Sequence, residues 1–350
     1  MDEVWSERST TPAKIEAALR QIVTEHHHSD HPFVPARVLN VVVVVDADFR
    51  GEIENRFERV GRYHPSRLVV CAVEEGRDTL DAWAGVGTED AHPVPGHIAV
   101  ARERVEIEIG PKHLSKLDTI VDPLLVSDLA TMVWAPHGHR EAVDSLRRLA
   151  QIVLVDTQDE PDVASSLARV EELSEYAYVV DLAWLRSTPW RERVAAAFDP
   201  PHLRAALGGV SAVTVRHRED SLAAAMLFCG WLSSRLGWKP GALSSTGGRF
   251  VGHARARRQE VRITLDPVHQ NAPGLAGVTI ETASGEAVSL DRSPGGLKAM
   301  RRARDGSEQS WTVLGASRGE GGILGEGVRQ ALLRDPTYRP ALGCARELAR

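Results

Sequence analysis

The chain has 350 residues, of which 43% are hydrophobic and 26% charged, and its formal net charge is −6. This composition is ordinary for a globular protein, and the length suits two domains of typical size. The acidic balance argues against nucleic acid as the main partner, because phosphate binding requires a basic surface.

The cysteines and the chain start predict a cytoplasmic protein. Cys71, Cys229 and Cys344 are odd in number and far apart, which is typical of neither a disulfide framework nor a zinc cluster. The first ten residues lack the apolar segment of a secretory signal. No apolar run reaches the about 20 residues that a membrane-spanning helix requires.

The first elements predict a crossover unit. Residues 11–25 carry apolar side chains at helical spacing, and residues 38–45 (VLNVVVVV) form an apolar, β-branched run typical of a strand buried on both faces. A helix over 52–61 and a second buried strand over 67–73 complete a strand–helix–strand unit.

The following elements extend an α/β pattern. Residues 79–91 show no clear period, whereas RVEIEI within 94–109 alternates as a half-buried strand does, which suggests a sheet edge. Strands and helices then alternate, with helices at 112–126, 140–151 and 162–176 and strands at 130–135 and 152–156. We therefore expect an α/β domain with a layered, mostly parallel sheet over residues 1–205.

The pattern changes after residue 205. VSAVTVRHR predicts a strand, residues 221–236 a long apolar helix, and the segments from residue 249 onward short strands at hairpin spacing. A last helix is expected over 323–333. We expect an α+β domain with an antiparallel sheet over residues 206–350.

No motif for a nucleotide or a metal is complete. VLNVVVVV leads into DADFRGEIEN, which has one glycine, so the nucleotide fingerprint of doubly wound sheets is missing. The glycine-rich run 315–327 fits no phosphate-loop spacing and is interpreted as a flexible loop. The cluster HHHSDH at 26–31 and the pair His137 and His139 contain possible metal ligands, but we interpret the cluster as a solvated loop. No cofactor and no metal are expected.

The segment HPSR offers two candidate groups. His64 and Ser66 lie two residues apart, so both would share one face of a strand, but no acid can be assigned to complete a nucleophile. Arg67 could bind a phosphate or carboxylate ligand, or pair with a carboxylate inside the protein. Both alternatives stay open.

The segment DLAWLRSTPWRERVAAAFD begins a helix at Pro189 after Thr188. Arg191 and Arg193 follow in its first turn, where the helix dipole disfavours cations, and such exceptions sometimes mark contact with an anionic group. Trp184 is expected in the core. For Trp190 the core and an interface are both open, because exposed Trp and Arg side chains dominate interfaces.

A second basic candidate is RFVGHARARRQEVR, residues 249–262. If the segment is extended, Arg255 and Arg257 share one face. They could meet a phosphate, an acidic partner or only water.

Several motifs, in order, resemble the OpcA family of glucose-6-phosphate dehydrogenase assembly proteins, of the actinobacterial type. They extend over nearly the whole chain, and HPSR together with DLAW…TPWR is the most specific combination. The motifs are ARVLNVVVVV at 36–45, HPSRLVV at 64–70, ERVEIEI at 103–109, VDPLLVSDL at 121–129, IVLVDT at 152–157, DLAWLRSTPWR at 181–191, GWLSSRLGW at 230–238 and DPTYRPAL at 335–342. The segment VWAPHGH and the glycine-rich run depart from the expected pattern.

The resemblance implies a protein that is not an enzyme. It would bind glucose-6-phosphate dehydrogenase and promote its active oligomer, which supports NADPH production in the oxidative pentose phosphate pathway. His64, Ser66, Arg67, Trp190, Arg191, Arg193, Arg255 and Arg257 are the candidates for contact with this partner or with an anion. The alternative is a regulatory module that binds a sugar phosphate such as glucose 6-phosphate. Neither nucleic acid nor a membrane is an expected partner.

Overall fold

A computed structural model describes residues 3–27, 37–52, 56, 65–88, 101–158, 160–257, 259–314 and 320–350. Two compact units divide the chain. The first contains Met1–Val155, Tyr176–Val180 and Leu324–Leu333, and the second contains Asp156–Glu175, Asp181–Ile323 and Arg334–Arg350. This division differs from the expected one at residue 205, because residues 181–205 pack within the second unit.

In the described part of the chain, the sheet of the first unit has eight strands and is largely parallel, as predicted. Its spatial order is β1-β4-β5-β3-β2-β6-β7-β8. Strand β2 runs parallel to β3 and β6, β3 to β5, and β6 to β7, whereas β1 and β4 are antiparallel to their neighbours. The strands are β1 Glu3–Glu7, β2 Leu39–Asp46, β3 Ser66–Val73, β4 Asp81–Thr88, β5 Ala101–Ile109, β6 Thr131–Trp134, β7 Ile152–Val155 and β8 Tyr178–Asp181.

The apolar runs form the centre of this sheet. Val41–Val45 of β2 are all 0% exposed, which confirms the predicted strand buried on both faces. Strand β5 pairs with both β3 and β4, so the expectation of an edge is wrong for it. Strand β4 (DAWAGVGT) pairs with β5 and contains many small residues. It therefore shows no apolar period, and its sequence did not predict a strand.

The helices of the first unit follow the prediction in part. Helix α1 Pro12–His27 buries Ile15, Leu19 and Ile22. The single helix expected over 112–126 is a short α-helix, α2 Leu117–Val121, between 3-10 turns, with Pro123 in the second turn. Helix α3 is Arg140–Ser145. Most of the helix expected over 52–61 lies outside the described residues.

The second sheet is mostly antiparallel, as predicted. Its order is β10-β12-β13-β9-β14-β15-β16-β17, and β11 also pairs with β12. Only the pairing of β13 with β9 is parallel among the described strands of this sheet. The strands are β9 Val210–Arg218, β10 Lys239–Pro240, β11 Ser244–Thr246, β12 Arg249–Arg255, β13 Glu260–Val268, β14 Leu275–Thr282, β15 Ala287–Ser293, β16 Gly296–Arg302 and β17 Glu308–Leu314.

The two faces of this sheet differ in polarity. Val213 and Val215 of β9 are buried on the face that helix α8, Leu222–Leu236, covers. Thr214 and Arg216 alternate with them on the opposite face, here called the outer face, where they are partly exposed. An antiparallel sheet with one solvated face has this alternation.

The remaining helices are α4 Val163–Leu173, α5 Leu182–Arg186, α6 Thr188–Phe198, α7 Pro201–Arg204, α9 Glu320–Leu333 and α10 Tyr338–Leu348. Among them, α4, α5 and α10 pack against α8. Helices α6 and α9 agree with prediction within a few residues. Helix α10 was not predicted, because Pro340 interrupts its pattern, although proline is tolerated in a first helical turn. It packs against α8, where a β-carbon on Gly230 would overlap the carbonyl oxygen of Ala341.

Candidate functional site

Arg67 has its partners inside the first unit. Its Nε donates to Oε2 of Glu103 at 2.6 Å, and its Nη1 donates to the carbonyl oxygen of Leu124 at 2.9 Å. Glu103 is 1% exposed and also pairs with Arg37. A buried carboxylate between two guanidinium groups has its charge compensated, so the internal pairing left open by the sequence is the one observed. Glu103 lies directly opposite Arg67 in the strand register, a relation that requires knowledge of the pairing.

Only Ser66 of the predicted serine–histidine pair lies among the described residues. Ser66 begins β3 and lies opposite Leu39 of β2. His64 lies outside the described residues, so the pair stays a prediction. Ser66 directly precedes Arg67, whose buried ion pair with Glu103 ties this end of β3 to β5.

The carboxyl ends of β2 and β6 lie at the point where the strand order reverses, the position where such sheets commonly bind ligands. Here Asp46 ends β2, and its Oδ1 lies 2.8 Å from Nε2 of His139. His137 contacts the ring of Phe49, and burial lowers the pKa of its imidazole. A carboxylate thus lies where dinucleotide-binding sheets present glycine amides to phosphate. Within the described ranges, no three His, Cys, Asp or Glu side chains are arranged to hold a metal ion.

The densest polar cluster lies in the second unit around Asp181, which is 1% exposed. Its carboxylate accepts from the amide of Ala183 at 3.0 Å and the amide of Thr157 at 3.2 Å. It also accepts from the hydroxyls of Thr157 at 3.0 Å and Tyr338 at 2.8 Å. Burial and the nearby carboxylate of Asp156 nevertheless raise the pKa of Asp181 to about 6. Asp156 itself forms a bidentate pair with Arg186 at 2.7 and 2.8 Å.

Arg191 stacks on Trp184 beside this cluster. Its guanidinium carbon lies 3.3 Å from the ring centroid, and its nitrogens donate to the carbonyl of Trp184 at 3.1 Å, Oγ of Ser187 at 3.1 Å and Oγ1 of Thr188 at 2.9 Å. The indole nitrogen of Trp184 donates to Asp335 at 2.9 Å. Burial lowers the pKa of Arg191. The motifs DLAWLRSTPWR and DPTYRPAL, which are distant in sequence, therefore form one internal network.

Two of the three contact candidates in this stretch are internal. Trp190 is 2% and Arg191 7% exposed, so of the two positions that the sequence left open for Trp190, the core is the one observed. The reason is that the first turn of α6 faces the core, where hydrogen bonds within the chain compensate the cation of Arg191. Arg193 is partly exposed, with Glu192 at 3.7 Å. Trp184 lies in the core as predicted. As direct partner contacts, Trp190, Arg191 and Arg193 stay a prediction, and only Arg193 reaches the surface.

Arg255 and Arg257 are both exposed. Strand β12 ends at Arg255, and the amide of Ala256 donates to the carbonyl of Gln259 in the turn that follows. The two arginines therefore do not occupy one strand, so the extended segment on which their shared face depended is not observed. Arg255 lies on the outer face, because the next residue toward the amino terminus, Ala254, is buried.

The buried thiols are unreactive in this environment. Cys71 and Cys229 are buried, and burial raises the pKa of each thiol to about 12. Cys344 is partly exposed, and burial raises its pKa as well. In the portion of the chain that is described, no helix is long and apolar enough to cross a membrane.

Two known family models match this chain. Residues 58–172 match the model described as glucose-6-phosphate dehydrogenase subunit N-terminal domain, and residues 177–342 match the corresponding C-terminal domain. This chain belongs to the OpcA family. Both models are of this family, and together they extend over most of the sequence.

Curated OpcA relatives are cyanobacterial. A protein of Synechococcus elongatus with the name "Putative OxPP cycle protein OpcA" is 25% identical over 241 residues, which are 66% of this chain and 54% of the relative. One of the same name from Nostoc punctiforme is 33% identical over 141 residues, 39% of this chain and 30% of the relative. The chain spans about half or less of the length of the OpcA relatives that it matches.

Solved structures similar to this OpcA chain are distant. The super-repressor mutant of Gal80p from Saccharomyces cerevisiae matches this chain with a TM-score of 0.49 at 7% identity. The match covers 87% of each of the two chains. A dehydrogenase (MviM) from Clostridium difficile has a TM-score of 0.42 at 8% identity, covering 83% of this chain and 88% of the other. At such values these similarities carry no argument about activity.

Proposed function

We propose that this chain binds glucose-6-phosphate dehydrogenase and promotes its active oligomer, and so supports NADPH production in the oxidative pentose phosphate pathway. The observation that carries the proposal is the match of residues 58–172 and 177–342 to two domains described as parts of a glucose-6-phosphate dehydrogenase subunit. In this role the chain is a non-enzymatic partner in the cytoplasm.

The internal chemistry is compatible with a scaffold. Arg67 and Arg191, which the sequence offered as anion contacts, have protein partners, and the buried Asp181 accepts from donors of the chain itself. These groups stabilise the two units. The candidates for contact with the dehydrogenase are then the exposed cations on or next to the second sheet, among them Arg255 and Arg257.

Activation follows from preferential binding. A protein that binds the active oligomer more tightly than its separated subunits shifts the assembly equilibrium by the difference in binding free energy. A preference of about 1–3 kcal/mol changes the equilibrium about 5–150-fold. No group of this chain then needs to contact substrate.

The test is a mixing experiment with the dehydrogenase of the same organism. We expect the two proteins to elute together from a sizing column, and the dehydrogenase to show higher activity or a lower KM for glucose 6-phosphate in the mixture. The effect should saturate at a fixed ratio of the two proteins. Separate elution together with unchanged kinetics at all ratios would contradict the proposal.

A second candidate is a sugar-phosphate-binding module. The exposed Arg255 and Arg257 favour it, because guanidinium groups pair well with phosphate. In that case glucose 6-phosphate alone should raise the unfolding temperature of the isolated protein. An unchanged unfolding temperature at millimolar sugar phosphate would leave the dehydrogenase as the partner to pursue.

A further inference from the structure

One corner of the outer face of the second sheet concentrates basic side chains. In the strand register, Lys239 of β10 lies opposite Arg255 of β12, and His253 of β12 lies opposite Arg262 of β13. All four side chains are exposed. Residues directly opposite each other on neighbouring strands project to the same face, so the four form one group, here called the basic corner.

Among the described residues, the cations of the basic corner have no carboxylate partner. Within the described residues, Lys239, Arg255 and Arg262 form no ion pair and no side-chain hydrogen bond, even though Glu260 lies opposite Arg255. Other arginines of the outer face are paired. These pairs are Arg216 with Asp291 at 2.7 Å, Arg249 with Asp266 at 2.8 Å and Arg302 with Glu281 at 3.5 Å.

This arrangement does not serve the stability of the sheet. Like charges directly opposite each other on adjacent strands are unfavourable, and Lys239 and Arg255 are placed in this way. The corner is also basic in a chain whose net charge is −6. Glu260, opposite Arg255 on β13, offsets this repulsion only in part, because within the described residues it forms no ion pair with either cation, and an external anionic group would remove the remainder.

The shape of the site indicates the kind of anion. Small phosphate ligands bind in concave sites with buried polar groups, whereas the four side chains of the basic corner are exposed on the face of a sheet. Nucleic-acid sites use about 6–10 phosphate contacts or aromatic platforms for bases, and the corner has three strong cations and no Phe, Tyr or Trp. An exposed group of cations on the face of a sheet fits the acidic surface of another protein.

We propose that the basic corner binds an acidic surface of a partner protein. The inference rests on the proposed function, under which this partner is glucose-6-phosphate dehydrogenase. The contact would contribute to the rate of association and to orientation through charge complementarity.

The test compares two substitutions of equal charge change, Arg255→Glu and Lys298→Glu. Lys298 of β16 is an exposed cation on the same outer face, near the other end of the sheet. We expect Arg255→Glu to weaken the affinity for the dehydrogenase about tenfold or more, and to reduce its dependence on salt, whereas Lys298→Glu stays within about twofold of wild type. Both side chains are exposed, and each substitution places a Glu opposite a carboxylate, Glu260 for Arg255→Glu and Asp291 for Lys298→Glu, so both variants should fold with a similar small loss of stability.

The outcomes separate the two proposals. If wild type binds the dehydrogenase and both variants bind equally well, the basic corner is not the contact, and the proposed function stands. If wild type does not bind, the proposed function fails and this inference fails with it. If glucose 6-phosphate alone raises the unfolding temperature of wild type but not of Arg255→Glu, the corner is a sugar-phosphate site and the inference is overturned.

Discussion

Hydrogen bonds within the chain compensate the buried charges of Asp181 and Arg191 in the second unit. Asp181 accepts from two backbone amides and two hydroxyls, and Arg191 donates to three oxygens while it stacks on Trp184. Removing one member of such a pair leaves its partner buried and unsatisfied, at a cost of about 1–3 kcal/mol. These residues should therefore affect stability more than partner binding.

Asp181 should make the stability of the protein depend on pH. Its pKa rises from 3.8 to about 6 on folding, so the native state holds a proton that the unfolded chain has released between these values. The resulting stabilisation is complete below about pH 4 and is lost as the pH rises through about 6. Between these pH values, wild type should lose roughly 1–3 kcal/mol of unfolding free energy relative to Asp181→Asn. Urea unfolding of both proteins across this range tests it, and parallel pH profiles would contradict it.

The stacked guanidinium should not be replaceable by an ammonium group. Arg191→Lys keeps the charge but loses the planar contact with Trp184 and the fork of hydrogen bonds. We expect a loss of about 1–3 kcal/mol in the free energy of unfolding. Arg193→Lys, at a partly exposed neighbour, is the control and should stay within about 0.5 kcal/mol. Equal denaturant midpoints for the two variants would show that the stack contributes nothing.

At the scale of elements, the pairing of α8 with α10 depends on a close backbone approach. Gly230 of α8 faces the carbonyl oxygen of Ala341 and the backbone of Ala345 on α10. Ala341, Leu342, Ala345 and Leu348 bury the inner face of α10. The contact therefore joins the last helix of the chain to the helix that covers the second sheet.

Two glycine substitutions distinguish this contact from helix propensity. A β-carbon at Gly230 would overlap α10, so we expect Gly230→Ala to lower the free energy of unfolding by about 2 kcal/mol or more. A β-carbon at Gly343 of α10 meets nothing within 4 Å, so Gly343→Ala should be neutral or raise it by up to about 1 kcal/mol. Thermal or urea unfolding decides between the two. If Gly230→Ala instead raised the free energy of unfolding, the two helices would have to move apart at little cost, which would contradict the close contact.

Over the whole molecule, the sequence predicts what local pattern determines. The valine run of β2 predicted a sheet buried on both faces, and the alternation of β9 predicted a sheet with one solvated face, because apolar periodicity reflects burial. Strand β4 and helix α10 were missed, because small residues and Pro340 disturb the period. The network around Asp181 could not be predicted, since Asp181 and Tyr338 are 157 residues apart in sequence. For the same reason, Arg255 was recognised as basic, but its opposition to Lys239 required the strand register.

The proposed role in assembly of the active dehydrogenase is tested most directly by the oligomer's mass distribution on dilution. We would follow glucose-6-phosphate dehydrogenase by single-particle mass measurement over a dilution series, with and without a saturating amount of this protein. Binding to the oligomer in preference to its subunits predicts that the oligomer persists to about 5–150-fold lower dehydrogenase concentration when this protein is present. Identical dissociation curves in the two series would contradict the account.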